Sequence, residues 1–366
     1  MLSETRVLES RRQDSDKEKA PKLLSPIRSY DGAVRVVDAG ADELYCGVVM
    51  PEMKDFVLYR GPKTDIPTYH ELGRVVKYAH DHDVSVGVTI NNPFMTEAME
   101  APLRRHIRSC VEQGADAFIV GDIGVLSVVK EAAPNAKVWA STYLASMNRE
   151  AVDFLTELGF NRVILERQLT ISEIAEITRH SKIEVEIFIH GAGCSNINGK
   201  CYLFHFDYPP LTQARNKIRG LHSPCMLPFK VHDVNDEKAL VEEAPVMDAF
   251  TGCSICRLPE LIRTGVNNFK IVGRDDWPIV QENTTRMYRE LIDLIVSGQM
   301  DAFWKRANEL KSTFMISPSL SLLTLRDYYC EQERCFYSPL FHAPYRIPSS
   351  WCTWTKMQFK NLAVVE

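Results

Sequence analysis

The chain has 366 residues, of which 45% are hydrophobic and 25% charged, which is enough for a globular protein with a large buried core. The formal net charge is −5, and the scattered lysines and arginines give no support to nucleic acid as a partner. The sequence contains neither a signal peptide nor an apolar run of about 18 residues. These features exclude a membrane span and predict a soluble, cytoplasmic protein.

Residues 1–20 are mostly charged and are predicted to form a flexible leader. After them, short apolar runs typical of buried strands recur, most of them following a helix-like segment that ends in glycine, as in "QGADAFIVGD". Segments such as 68–82 and 148–159, with apolar residues at helical spacing, lie between these runs. The predicted strands are residues 23–26, 42–47, 84–90, 117–120, 137–140, 162–165, 184–189 and 269–272. Strands and helices that alternate in this way predict an α/β protein with a (β/α)8 TIM-like barrel rather than an open doubly wound sheet.

A long cysteine-rich insertion, residues 190–268, separates predicted strands seven and eight. In a TIM barrel this loop leaves the carboxyl-terminal face, where active sites are built. The insertion belongs to a predicted barrel domain of residues 21–310, which ends in a helix pair over 277–310. Residues 311–366 form a predicted extension that packs on the barrel. The insertion carries half of the ten cysteines of the chain, namely Cys194, Cys201, Cys225, Cys253 and Cys256.

Cysteines clustered in polar, turn-rich sequence indicate a metal site, because disulfides rarely persist in cytosolic proteins. Only Cys253 and Cys256 have the close spacing of a zinc knuckle, whereas iron–sulfur clusters accept dispersed thiolates from one insertion. The pattern therefore favours a 4Fe-4S cluster over zinc. A cysteine protease that pairs Cys194 with His190 is the alternative, but no orienting residue or protease signature accompanies the pair.

The strand before the insertion, "EVEIFIH", alternates polar and apolar residues, which predicts that Glu186 and His190 point into the barrel. Arg167 and Arg274 end the two neighbouring strands. They either neutralise Glu186 or clamp a carboxylate-bearing small molecule, as guanidinium groups do well. His190 is a candidate for proton transfer or for support of the metal site. Asp122, at the end of strand four, either belongs to the same catalytic mouth or only caps a helix.

The stretch "IHGAGCSNINGKC" and its neighbours resemble the peptidase U32 family, also called collagenase-like peptidases. The signature residues are Glu186, Phe188, His190, Gly191, Ala192, Cys194, Gly199, Lys200 and Cys201. The resemblance covers about residues 22–276 and continues through "CSICRLPELIRTGVNNFKIVGR". The sequence departs from the family pattern at Gly193, at Asn198 in place of serine, and at Val272 in place of a glutamate, so the reaction itself stays open.

The resemblance implies a 4Fe-4S protein that supports oxygen-independent hydroxylation, with prephenate as the proposed hydroxyl donor. It puts Cys194, Cys201 and Cys253 on cluster-ligand positions and favours Cys225 as the fourth ligand, with His222 or Cys256 as substitutes. Family members hydroxylate a quinone precursor or pyrimidines in RNA. Because RNA-acting members tend to be longer, the short chain favours a small-molecule substrate.

Two other functions stay open at this stage. One is a peptidase, as the family name states, and the other is a non-catalytic, cluster-carrying subunit that pairs with a homologous partner or with a second copy of the chain. The remaining cysteines, Cys256, Cys330, Cys335 and Cys352, leave room for a second metal site, although their spacing matches no compact ligand motif.

Overall fold

The computed structural model describes residues 20–50, 52, 64–92, 94–192, 197–200, 229–233, 236–244, 251–313 and 336–337. Within these residues, eight parallel strands close into a barrel with helices between them. The barrel strands are β1 (Lys22–Pro26), β2 (Glu43–Cys46), β3 (Ser85–Ile90), β4 (Ala117–Val120), β5 (Lys137–Ala140), β6 (Arg162–Ile164), β7 (Glu184–Ala192) and β11 (Asn268–Ile271). The predicted TIM barrel is confirmed, and each predicted strand coincides with an observed one.

The barrel closes because β7 pairs with both β6 and β11, and β11 pairs with β1. Its outer layer contains α1 (Tyr30–Asp38), α2 (Tyr69–His80), α3 (Glu97–Glu112), α4 (Ile123–Ala132), α5 (Arg149–Leu158), α6 (Ile171–His180) and α7 (Leu258–Arg263). The chain continues into α8 (Pro278–Val296) and α9 (Met300–Thr313), the predicted helix pair.

Local sequence explains where several of these helices begin and end. The side chains of Ser29, Thr68 and Asn148 accept hydrogen bonds from the first-turn N–H groups of α1, α2 and α5, as N-cap residues do. Helix α5 ends at Gly159, whose φ of 88° is a left-handed conformation that glycine adopts without a steric penalty. Capping of this kind lets short amphipathic helices dock at defined positions around the sheet.

The lower interior of the barrel is charged. Four buried side chains near the amino-terminal ends of the strands form what we term the floor cluster, namely Glu43, Arg162, Glu186 and Lys270. The Nη1 atom of Arg162 donates to Glu43 at 2.6 Å and to Glu186 at 3.0 Å, and the Nζ atom of Lys270 donates to Glu186 at 2.9 Å. Buried charges are tolerated when they are paired and hydrogen-bonded in this way.

Two aromatic rings complete the surroundings of the floor cluster. The Arg162 guanidinium lies 3.8 Å from the centroid of Trp139, and the Lys270 ammonium lies 4.0 Å from the centroid of Tyr45. Both are cation–π contacts, which gain strength where water is excluded. Arg162 and Lys270 therefore neutralise Glu186 within the floor cluster. The expectation that Arg167 or Arg274 neutralises Glu186 is wrong.

The described part of the insertion contributes three further strands. Strands β8 (Phe229–Asp233) and β9 (Asp236–Ala244) form an antiparallel hairpin, and β10 (Thr251–Cys253) pairs antiparallel with the end of β7. Three predicted cluster ligands, Cys194, Cys201 and Cys225, lie outside the described residues, as do His222, Cys330, Cys335 and Cys352.

The predicted leader of residues 1–20 lies outside the described residues except for residue 20. The proposed domain boundary at residue 310 stays a prediction, since only residues 311–313, 336 and 337 of the extension are described. In the described part of the chain, no helix has both the length and the apolar character needed to cross a membrane.

Candidate functional site

The carboxyl-terminal mouth of the barrel gathers most of the predicted site residues, and a β-bulge in β7 shapes it. Against β11, Phe188 pairs with Lys270 and His190 pairs with Ile271, so Ile189 is an extra residue in β7. A bulge of this kind interrupts the alternation of side chains along a strand. The strict alternation expected from Glu186 to His190 is therefore broken one residue before the histidine.

The ring of His190 packs edge-on against Tyr288 of α8, with 5.6 Å between the centroids. The Nδ1 atom lies 3.4 Å from the Tyr288 hydroxyl. Burial lowers the pKa of His190 to about 3, because the apolar surroundings disfavour the charged imidazolium. The imidazole is therefore neutral near pH 7 and is a weak base in this environment.

Strand β10 holds Cys253 directly beside His190, its register partner on β7. The next residue, Ser254, donates through Oγ to the carbonyl of Ile189 at 2.9 Å, and the Tyr288 hydroxyl donates to the same carbonyl at 2.8 Å. The N–H of Phe336, from the carboxyl-terminal extension, donates to the carbonyl of Cys253 at 3.0 Å. Backbone bonds on two sides therefore fix the position of this half-buried cysteine.

Arg167 lies on the other side of β7, after β6. Its guanidinium carbon is 3.8 Å from the centroid of the Phe188 ring. The carbonyl of Phe188 accepts a hydrogen bond of 2.6 Å from the hydroxyl of Tyr337. Burial raises the pKa of Tyr337 despite the opposing charge of Arg167, so its hydroxyl stays a neutral donor. The mouth is thus lined by the cation of Arg167 and by two residues of the carboxyl-terminal extension, Phe336 and Tyr337.

Arg274 follows β11 and is held by two acceptors. Its Nη1 atom donates to Asp65 at 3.1 Å and to Thr89 of β3 at 2.8 Å. Gly47 makes this arrangement possible, because a Cβ atom at that position would lie 2.1 Å from the Asp65 carboxylate and 2.7 Å from Arg274 Nη1. Arg167 and Arg274 therefore both stand at the mouth, on the two strands that flank β7.

A buried carboxylate that the sequence prediction missed lies beside Arg167. Glu166 is 2% exposed and accepts hydrogen bonds from the backbone N–H of Asn198 at 3.0 Å and from its Nδ2 atom at 3.1 Å. The Nδ2 atom also donates to the hydroxyl of Thr142 at 3.1 Å. This contact joins the mouth to the segment 197–200, which leads directly to Cys201. The sequence feature that could have revealed Glu166 is its place beside Arg167 at the end of a buried strand, in "VILER".

Two predicted catalytic residues have structural partners that account for them. The carboxylate of Asp122 accepts from the N–H of Gly124 at 2.7 Å and is the N-cap of α4. Glu186 lies in the floor cluster, below the mouth, with Arg162 on one carboxylate oxygen and Lys270 on the other. The structure thus brings His190, Arg167, Arg274 and Cys253 to the mouth and keeps Glu186 away from it.

Among the described residues, no group of three or more histidine, cysteine or carboxylate side chains has the arrangement of a metal site. Of the four favoured cluster ligands only Cys253 is described, and the substitute ligand Cys256 lies three residues further on, in the 3-10 turn Ile255–Arg257. Two more predicted ligands are adjacent in the chain to described segments. Cys194 follows the end of β7 by two residues, and Cys201 follows Lys200 directly. Both segments lie at the mouth.

Comparison with known proteins gives a family and named relatives. The sequence model of Peptidase family U32 matches residues 28–325. The 23S rRNA 5-hydroxycytidine C2501 synthase of Escherichia coli is 28% identical over 87% of the chain. Two proteins of Bacillus subtilis, tRNA hydroxylation proteins P1 and P2, are 26% and 28% identical over 75% and 82% of the chain.

The relatives differ in how much of their length the chain spans. It covers 47% of the Escherichia coli synthase and 64% of P1. It covers 94% of P2. Chain length therefore does not separate a small-molecule substrate from RNA, because P2, a relative named for tRNA hydroxylation, is matched almost end to end.

Proposed function

Since this chain belongs to peptidase family U32, we propose that it supports an oxygen-independent hydroxylation with a 4Fe-4S cluster held by Cys194, Cys201, Cys225 and Cys253. The observation that carries the proposal is the fixed position of Cys253 beside the end of β7, from which the chain continues to Cys194. Relatives named for rRNA and tRNA hydroxylation give the reaction class.

Cys253, the described member of the proposed ligand set, suits such a cluster. Thiolates are the usual ligands of iron–sulfur clusters, and Cys253 is a partly exposed residue, unlike the buried Cys46 and Cys110. The hydrogen bonds around Ser254 and Phe336 hold its backbone, as outer contacts hold metal ligands elsewhere. When bound, the cluster supplies electron transfer or Lewis-acid chemistry at the mouth.

The residues of the chain itself bind and orient the reactants. Arg167 and Arg274 flank β7, so a ligand above this strand meets two guanidinium groups, which suits prephenate and its two carboxylates. His190 is neutral at pH 7 because of its burial, so its role in this proposal is to support Cys253 on the paired strand β10 rather than to take a proton. The acceptor in this proposal is a small aromatic metabolite, and a pyrimidine base is the competing acceptor class.

Anaerobic purification tests the cluster. We expect a brown protein with about four iron and four sulfide per chain and an EPR signal after reduction. Cys253→Ser should lose most of the iron, while Cys110→Ala, a change in a buried wall residue, should keep it. Cys256→Ser decides between the two neighbouring cysteines as ligand. A colourless wild-type protein without iron would refute the proposal.

Labelled prephenate tests the reaction. The expected result is transfer of the labelled hydroxyl to an aromatic metabolite or to a pyrimidine in RNA, and abolition of transfer by Arg167→Gln. Transfer only after addition of a homologous subunit would favour the non-catalytic role for this chain. Iron-independent cleavage of a collagen-like peptide would instead support a peptidase.

A further inference from the structure

We propose that Glu166 is a positioning residue that anchors residues 197–200, which precede Cys201, at the mouth through Asn198, and that this anchor keeps the cluster bound. The inference rests on the proposed function, because it assigns Glu166 a purpose only if Cys201 and the other predicted ligands bind a cluster. It concerns a carboxylate and an amide outside the predicted ligand set.

The anchor is partly buried and contains several hydrogen bonds. The Glu166 carboxylate accepts from the backbone and side chain of Asn198 and from the hydroxyl of Thr142. A carboxylate with several donors is a strong acceptor. Burial raises the pKa of Glu166, and Arg167 is the charged group that opposes this shift. The groups that bond to the Glu166 carboxylate are all hydrogen-bond donors, so none of them repels its negative charge.

Close packing reinforces the hydrogen bonds. The 3-10 turn Asn198–Lys200 lies against the 3-10 turn Thr142–Leu144, which follows β5. A Cβ atom at Gly199 would lie 1.8 Å from the carbonyl oxygen of Tyr143. Since this oxygen belongs to the backbone, it cannot move aside as a flexible side chain can. The segment therefore has one docked position, and Gly199 is required for it.

The anchor lies next to a predicted cluster ligand in the chain, so it should affect metal binding. Asn198 stands between the predicted ligands Cys194 and Cys201. Lys200 directly precedes Cys201. A multidentate site binds its metal more tightly when the ligands are held in place before binding. Docking of residues 198–200 removes conformational freedom that cluster binding would otherwise have to remove.

An isosteric substitution breaks this anchor selectively. Asn198→Asp replaces the donating amide by a second carboxylate against Glu166, and two buried carboxylates in contact repel each other unless they share a proton. The double variant Glu166→Gln with Asn198→Asp exchanges the two functional groups. Its glutamine accepts from the backbone N–H of residue 198 and donates to the new aspartate, so the two hydrogen bonds between residues 166 and 198 are restored, while the Thr142 hydroxyl becomes a donor to the aspartate instead of an acceptor.

The experiment measures loss of iron from the anaerobically purified full chain to a ferrous chelator, followed by absorption and EPR. We expect Asn198→Asp to lose iron about 10-fold faster or more at pH 8, with a smaller defect at pH 6, where the carboxylates can share a proton. The double variant should recover most of the wild-type retention. Asn161→Asp and Glu157→Gln are matched controls on exposed positions and should not change the rate.

The outcomes separate this inference from the proposed function. Wild-type protein that never contains iron refutes both proposals. A wild type that holds the cluster, with an Asn198→Asp variant that holds it equally well at pH 8, refutes the anchor alone. Failure of the double variant to restore retention also refutes the pairing. If Asn198→Asp does not fold, Gly199→Ala is the deciding variant, and its retention of iron at the wild-type rate would overturn the inference.

Discussion

The floor cluster and the mouth of the same barrel use buried carboxylates in different ways. In the floor, Glu43 and Glu186 meet Arg162 and Lys270 directly, and every distance in the chain of ion pairs is at or below 3.0 Å. At the mouth, Glu166 binds amide and hydroxyl donors, and Arg167 lies on an aromatic ring. The floor consists of paired charges, extended at its edge by Lys22 and Glu184, whereas the mouth combines the Arg274–Asp65 ion pair with groups that orient neighbouring segments.

This difference shows why residue type alone does not assign a role inside a barrel. Glu186 belongs to the signature stretch of the family and Glu166 does not, yet Glu166 reaches the segment before Cys201 and Glu186 binds only the floor cations. The height of a residue along its strand decides which set of partners it meets. Variants of the floor should thus change stability, and variants of the mouth should change metal binding.

The largest effect on stability is expected for Arg162→Met. The substitution leaves Glu43 and Glu186 buried without their shared cation, which costs about 3–5 kcal/mol. Urea unfolding measures this loss. Arg149→Met removes an exposed ion pair with Asp153 and should change the unfolding free energy by less than about 1 kcal/mol. Equal effects of the two substitutions would contradict the distinction between a buried floor and an ordinary surface.

A smaller, pH-dependent effect is expected for Glu43→Gln. Burial alone would raise the pKa of Glu43, but the hydrogen bonds and charge of Arg162 outweigh it and hold the pKa below the ordinary 4.5. Because the folded pKa is depressed, the carboxylate stabilises the fold fully above pH 4.5, and this contribution is lost as the pH falls through the folded pKa. The variant should be about 2 kcal/mol less stable than wild type at pH 7.

The difference between wild type and Glu43→Gln should therefore shrink as the pH falls below 4.5. Urea unfolding at a series of pH values gives this comparison directly. Iron content should be unchanged at pH 7, since the hydrogen bonds of Glu43 among the described residues go to Lys22 and Arg162. A constant difference at every pH would show that Glu43 acts through packing and not through its charge.

The smallest effect is expected for Tyr337→Phe at the mouth. Loss of the hydroxyl leaves the buried carbonyl of Phe188 without its donor, at a cost of about 1 kcal/mol. Thermal unfolding measures the change. The matched variant Tyr30→Phe removes the hydroxyl of a ring in edge-on contact with Tyr78 and should be neutral. A Tyr337→Phe protein as stable as wild type, with the same iron content, would show that this hydroxyl does not hold the extension at the mouth.

The sequence predicted the strands closely because each carries its own local signal. Strands β4 and β5 coincide with the predicted residues 117–120 and 137–140. Strand β7 extends to Ala192, beyond the predicted end at residue 189, because β10 pairs with its last residues. That pairing joins segments about 60 residues apart, and no local pattern encodes it.

The candidate site was predictable in part for the same reason. Arg167, His190 and Arg274 were found because each stands at or near the end of a barrel strand, and the ends of parallel strands meet at one face. Cys253 was singled out by the cysteine-rich insertion and by the family resemblance. Glu166, Ser254 and Tyr288 were missed as members of the mouth. These residues contribute through hydrogen bonds to carbonyl and amide groups. Because every sequence contains many such groups, the sequence does not show which of them will meet.

By itself, the sequence determined the strand and helix order, the barrel class, the family and the cysteine-rich character of the insertion, because periodicity, glycine placement and cysteine spacing are written in consecutive residues. The tertiary structure decided which charges meet. Glu186 pairs with Arg162 and Lys270 in the floor, while Glu166 binds Asn198 at the mouth. Strand register and barrel closure set these distances, and ionic and hydrogen-bonded contacts depend on distances of a few ångströms between residues far apart in the chain.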